Sequence, residues 1–153
     1  MATVELQQQQ QEEEDVCPVC IEPLQKDAHK FLRFPCCGKG IHIWCQKGIY
    51  ASSLSDKQKR SCPLCRAKDP SSNEERIERL RPWVEKGKAW AQSNLGDKYY
   101  HGVGVDQSYQ RAAELLELAA GQGDAFGQFM LGLMYEDGQG VDQSDERAAE
   151  YYE

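Results

Sequence analysis

Seven cysteines and one histidine fall in four pairs within about fifty residues: Cys17–Cys20, Cys36–Cys37, His42–Cys45 and Cys62–Cys65. Sulfur and imidazole are preferred ligands of Zn²⁺, and a tetrahedral structural site takes four of them. Eight ligands in four pairs match two zinc ions per chain, with no cysteine left over. A lone C-x-x-C would be shared between zinc sites and redox dithiols. Here two C-x-x-C pairs bracket an H-x-x-C pair, which is far more specific. A dithiol redox enzyme fits poorly, because seven thiolates at metal spacing would be metallated.

The adjacent pair Cys36–Cys37 sets a geometric condition. Zn–S bonds near 2.3 Å place two sulfurs of a tetrahedron about 3.8 Å apart, and neighbouring Cα atoms are also about 3.8 Å apart. Both cysteines reach one metal only if the backbone turns, which Gly38 permits. The alternative is a single ligand, with His29 or water completing the site.

The elements that must hold these ligands are short. Lys30–Phe34 reads as a strand ending at Pro35, with Gly38 and Gly40 at the return and Ile41–Ile43 as the partner. Trp44 to Leu54 reads as a short helix, with Trp44, Ile49 and Leu54 available to pack inward. Cys62-Pro63-Leu64-Cys65 forms a tight knuckle after Ser61. So few large hydrophobes require a staple. Structural zinc supplies one, worth on the order of 10–16 kcal/mol in small modules, so the metal-free segment is expected to be unfolded.

Charge is unevenly placed along the 153 residues, whose formal net charge is −7. Residues 1–15 carry five acids and no base, residues 16–68 ten bases against three acids, and residues 69–153 eight against seventeen. Seven thiolates and two zinc ions leave the middle segment mildly basic. Lys30, Arg33, Lys39, Lys47, Lys57, Lys59 and Arg60 could meet an acidic partner. Nucleic acid is disfavoured, because the aromatic platform that stacks single strands is missing. No run of about 18 apolar residues spans a membrane, and the N-terminus lacks the basic start and apolar stretch of a signal peptide. Thiols kept as ligands point to the cytoplasm or nucleus. The polar tract Gln7–Asp15 is too poor in apolar residues to order itself.

The second half repeats. Residues 89–117 and 125–153 are identical at 16 of 29 positions under a shift of 36, the period of a helical solenoid. Each unit reads as a helix (Ala89–His101; Ala125–Asp137), a Gly-rich turn, then a second helix (Tyr109–Gly121; Asp145 onward). The turns Gly102-x-Gly104 and Gly138-x-Gly140 follow no strand, which argues against phosphate loops. Tyr99 and Tyr135 read as core. Helix Glu74–Lys86 aligns by the same shift with a second helix and caps the array. The chain stops at Tyr151-Tyr152-Glu153 inside a second helix, as a fragment or early-terminated product would. No metal ligand lies in the repeats, so the two parts are expected to fold separately.

Over residues 16–68 the ligand order resembles a RING domain, with adjacent Cys36–Cys37 departing from the usual Cys-x-His. The resemblance implies a cross-brace: Cys17, Cys20, His42 and Cys45 on one zinc, and Cys36, Cys37, Cys62 and Cys65 on the other. It also implies a ubiquitin ligase without a catalytic nucleophile or covalent ubiquitin intermediate. Val19, Ile49 and Pro63 would contact a ubiquitin-conjugating enzyme, and Arg66 would bridge that enzyme and its ubiquitin. Over residues 89–153 the Leu-Gly-x-x-Tyr-x-x-Gly-x-Gly-Val pattern resembles Sel-like repeats, relatives of tetratricopeptide repeats. That likeness implies an all-α solenoid presenting a protein-binding surface. The expected architecture is thus a small α+β zinc-stabilised cross-brace module followed by an all-α helical-repeat solenoid. Its parts are an acidic tail (1–15), a RING-type finger (16–68), a linker with capping helix (69–88), a first repeat (89–124) and an incomplete second (125–153). The expected function is a ligase whose repeats recruit substrate. The alternative is a non-catalytic zinc-organised adaptor.

Overall fold

The computed structural model describes residues 17, 31–55, 58 and 60–153. The sequence expectations at Val19, Cys20 and His29 lie outside them.

Strand β1 (Phe31–Arg33) pairs antiparallel with β2 (Gly40–His42), Phe31 opposite His42 and Arg33 opposite Gly40. The connection is tight. The Phe34 carbonyl accepts the amides of Cys37 (3.2 Å) and Gly38 (2.7 Å), and the Phe34 amide donates to Lys39 O (3.0 Å). Gly38 sits at φ +69, the left-handed region that glycine enters without a Cβ penalty. The turn required for adjacent cysteines to share a site is therefore present.

Helix α1 (Ile43–Ala51) follows directly. It starts one residue earlier than expected and ends three sooner, where the Ser52 amide and hydroxyl both bond Ile49 O. No residue of α1 is fully buried. This corrects the inward packing read from the sequence: Trp44 is 51% exposed, Leu54 37%, and Ile49 only half-buried. Trp44 instead stacks on the His42 imidazole, with centroids 4.3 Å apart and planes 12° from parallel. Two helical turns tethered through His42 leave about half of Trp44 to solvent.

Five further helices form the array: α2 (Asn73–Glu85), α3 (Ala89–His101), α4 (Tyr109–Ala120), α5 (Ala125–Asp137) and α6 (Asp145–Tyr152). The period of 36 is visible in the structure. Ser72, Ser108 and Ser144 each cap a helix by accepting the amide three residues on, from Glu75, Arg111 and Arg147. Gly102 and Gly138 end α3 and α5 in the same left-handed conformation, φ 66 in both. After each, a glutamine reaches back across the turn, Gln107 to Tyr100 O and Gln143 to Glu136 O, both at 2.8 Å. The Gly-rich segments are turns between helices, as the sequence indicated.

The core sits between the helices. It runs from Ile77 and Leu80 through Ala91, Leu95, Ala112 and Leu116 to Leu131, Met134 and Ala148. Tyr99 and Tyr135 are buried within it. Small residues set the spacing: a Cβ on Gly96 would lie 2.8 Å from Leu116 Cγ, so α3 and α4 approach as only glycine allows. Among the described residues no helix is long and apolar enough to cross a membrane.

Candidate metal centres and the adjoining cleft

The strand connection and the 62–65 knuckle face each other. Cys36, Cys37, Cys62 and Cys65 bring four sulfurs within 4.8 Å of one another. Cys36 Sγ lies 3.4 Å from Cys65 Sγ, and Cys37 Sγ 3.9 Å from Cys62 Sγ. These separations are far from the ~2.05 Å of a disulfide and bracket the roughly 3.8 Å edge of a zinc tetrahedron. Four thiols gathered this closely are a donor set that fits Zn²⁺. Both members of the adjacent pair are in the cluster.

Each knuckle is shaped by its own backbone. The Arg66 amide donates to Cys62 O (2.9 Å) and the Cys62 amide to Ala67 O (2.8 Å). Amides of Lys39 and Ala67 face the sulfurs of Cys37 and Cys65. Burial raises the Cys36 thiol well above its ordinary range, and hydrogen bonds to Cys65 and Cys62 add to the effect. At Cys65 burial also acts upward, but the Ala67 amide and the neighbouring thiols outweigh it and lower the pKa. Four thiols this close share protons, and a dication would displace them.

A second group combines Cys17, His42 and Cys45 within 4.8 Å, with Cys17 and His42 buried. Imidazole and two thiols are three-quarters of a zinc shell. Cys20, the expected fourth ligand, lies outside the described residues. The two groups interleave along the chain: 17 joins 42 and 45, while 36 and 37 join 62 and 65.

Beside the four-sulfur cluster is a cleft of about 440 Å³ lined by Ile49, Leu54, Gln58, Ser61, Cys62, Pro63 and Arg66. It brings together three of the four residues singled out as partner contacts, and Val19 lies outside the described residues. Leu54 and Gln58 are additions that the sequence reading did not assign to this surface. Both follow α1 in the chain, and nothing in their spacing marks a partner contact. Arg66 has φ 62, alone among the described non-glycine residues in being left-handed. That conformation costs roughly 1–2 kcal/mol for a residue with a Cβ, and it places an exposed guanidinium at the cleft rim.

The helical array has known counterparts. Residues 91–124 and 125–153 match the family model of the Sel1 repeat, so α3 to α6 are built of Sel1 repeats. It is similar to the crystal structure of a protective antigen of uropathogenic Escherichia coli strains displaying an SLR fold, with 32% identity over 55% of this chain and 18% of that one, TM-score 0.53. A Sel1 repeat protein from Oxalobacter formigenes is similar at 29% identity over 54% of this chain and 24% of that one, also at TM-score 0.53. The chain thus spans a quarter or less of the length of these two structures. No curated protein matches it.

Proposed function

We propose that the chain is a zinc-organised, RING-type ubiquitin ligase whose Sel1 repeats recruit the substrate or partner protein. The observation that carries this reading is the convergence of Ile49, Pro63 and Arg66 on one cleft against the four-cysteine cluster. The interleaved ligand groups support it as well, because cross-linking two loops at two points is how a RING fixes such a surface. Cys17, Cys20, His42 and Cys45 hold one zinc; Cys36, Cys37, Cys62 and Cys65 hold the other. Zinc supplies the cross-links, and this chain's residues do the rest. Val19, Ile49 and Pro63 bury apolar surface of a ubiquitin-conjugating enzyme. Arg66 donates to that enzyme and to its ubiquitin, for which a planar guanidinium fork is better suited than an ammonium. The transfer is catalysed by holding the activated ubiquitin in a reactive orientation.

The adjacency of Cys36 and Cys37 favours a second reading, a non-catalytic adaptor that uses zinc only to present the repeats. Reconstituted autoubiquitination with a panel of conjugating enzymes separates the two. A ligase forms ubiquitin conjugates with at least one enzyme, and Ile49→Ala weakens its recruitment. An adaptor forms none while retaining its zinc.

A further inference from the structure

Trp83, in the last turn of α2, touches the metal-side loop at two points. Its indole Nε1 donates to Pro35 O at 2.8 Å. Its ring occupies the space a side chain on Gly38 would need, since a Cβ there would collide with the six-membered ring. Pro35 and Gly38 are the residues on either side of Cys36–Cys37, so the indole clasps the ligand pair from behind. The clasp is itself braced. Trp90 of α3 packs at 5.8 Å from Trp83, and the Arg33 guanidinium lies 5.8 Å over the Trp90 ring. Arg33 in turn donates to Gly38 O at 3.1 Å, returning to the same loop. A second tie joins the other ligand pair to the array, where Arg79 of α2 donates to Lys68 O at 2.7 Å, three residues past Cys65.

We propose that Trp83 is a positioning residue that locks the Cys36–Cys37 loop to the helical array, coupling metal binding at the four-sulfur centre to the stability of the Sel1 repeats. The inference rests on reading that cluster as a metal centre and is independent of ligase activity. It replaces the expectation of two separately folding parts. Adjacent cysteines share one metal only while the short connection holds its turn, and the indole fixes that turn from outside the loop. Groups that hydrogen-bond a metal ligand directly typically change metal affinity by 10- to 100-fold; the indole acts one residue from Cys36, so that range is an upper bound for it. By linkage, the effect is reciprocal: whatever the array contributes to the metal site, the filled site returns to the array.

The test is thermal melting of the full chain followed by helical circular dichroism, zinc-loaded and after chelation, with zinc affinities from competition against a chromophoric chelator. Stripping zinc should lower the helical melting temperature of the parent by several degrees. In Trp83→Ala the starting value should be lower and the zinc-dependent difference largely lost. Affinity at the Cys36/Cys37/Cys62/Cys65 centre should fall, by at most about 10- to 100-fold, with the Cys17/His42/Cys45 centre unchanged as an internal control. Trp83→Phe, which keeps a ring but loses the N–H, should recover part of the affinity. If Trp83→Ala does not fold, Gly38→Ala acts from the loop side with the repeat sequence untouched and should still lower the helical melting temperature. A parent whose helical melt ignores zinc, a Trp83→Ala protein with parental affinities, or a Gly38→Ala protein with a parental melt overturns the coupling. Absence of bound zinc from the folded parent is a separate result, seen before any variant is made, and it overturns the metal-centre reading together with this proposal.

Discussion

Arg66 accepts a backbone conformation that a glycine would adopt without penalty. A side chain kept at such a position is explained if the side chain itself is needed. Arg66→Gly removes the left-handed penalty of roughly 1–2 kcal/mol but adds chain entropy to the unfolded state, of about 0.5–1 kcal/mol. Stability and zinc content should therefore be unchanged or slightly improved, while ubiquitin transfer falls. Calorimetry and metal analysis beside a transfer assay check this, and a variant that transfers at the parental rate removes Arg66 from the mechanism. The seven residues that the structure gathers into two candidate ligand groups were legible because their types and spacing are unusual in themselves. Their surroundings were not. Nothing within α1 tells which of its faces has a partner, so the sequence pattern turns Trp44 inward although it lies half exposed on His42. The contact between Trp83 and Pro35 spans 48 residues and leaves no local pattern.

Helix starts obey the repeat, with one departure that makes a prediction. Asp124 caps α5 by accepting the Gly127 amide at 2.8 Å. Its equivalent 36 residues earlier, Lys88, makes no side-chain cap on α3 and sets a positive charge against the positive end of the helix dipole. Lys88→Asp should stabilise the array by about 1 kcal/mol, visible as a higher helical melting temperature; a lower one would show that Lys88 serves the neighbouring Arg33, Lys39 and Trp90 surface. Gly96→Ala should cost about 1–3 kcal/mol by overpacking, since the new Cβ meets the buried Leu116 side chain at 2.8 Å. Gly132→Ala should cost less, because it meets Tyr152, which is partly exposed and can move aside. At the start of α2, the amide and hydroxyl of Ser71, together with Arg79, hold the Glu75 carboxylate down at about 2. A depressed acid supports the fold above its unfolded pKa, near 4.5, and ceases to do so as pH falls toward 2. A Glu75 carboxyl resonance titrating at 4.5 in the folded protein would rule this box out. The helices and their turns were readable from sequence because helix period and glycine turns are local, and the shift of 36 placed them twice over.

At the scale of the molecule, a basic cysteine-rich part is joined to an acidic helical array by an indole, an arginine stack and the hydrogen bond from the Arg79 side chain to Lys68 O. Such a joint would hold a protein bound to the repeats at a fixed bearing from the cleft of Ile49, Pro63 and Arg66. Everything in that account depends on metal occupying both ligand groups. The direct measurement is zinc per chain in the purified, folded protein, with alkylation of accessible thiols under the same conditions. Two zinc ions per chain are expected, with Cys36 and Cys37 both protected, and with Cys37→Ser reduced to one zinc while the Cys17/His42/Cys45 centre stays filled. One zinc or none in the parent, with Cys36 or Cys37 freely alkylated, would contradict it.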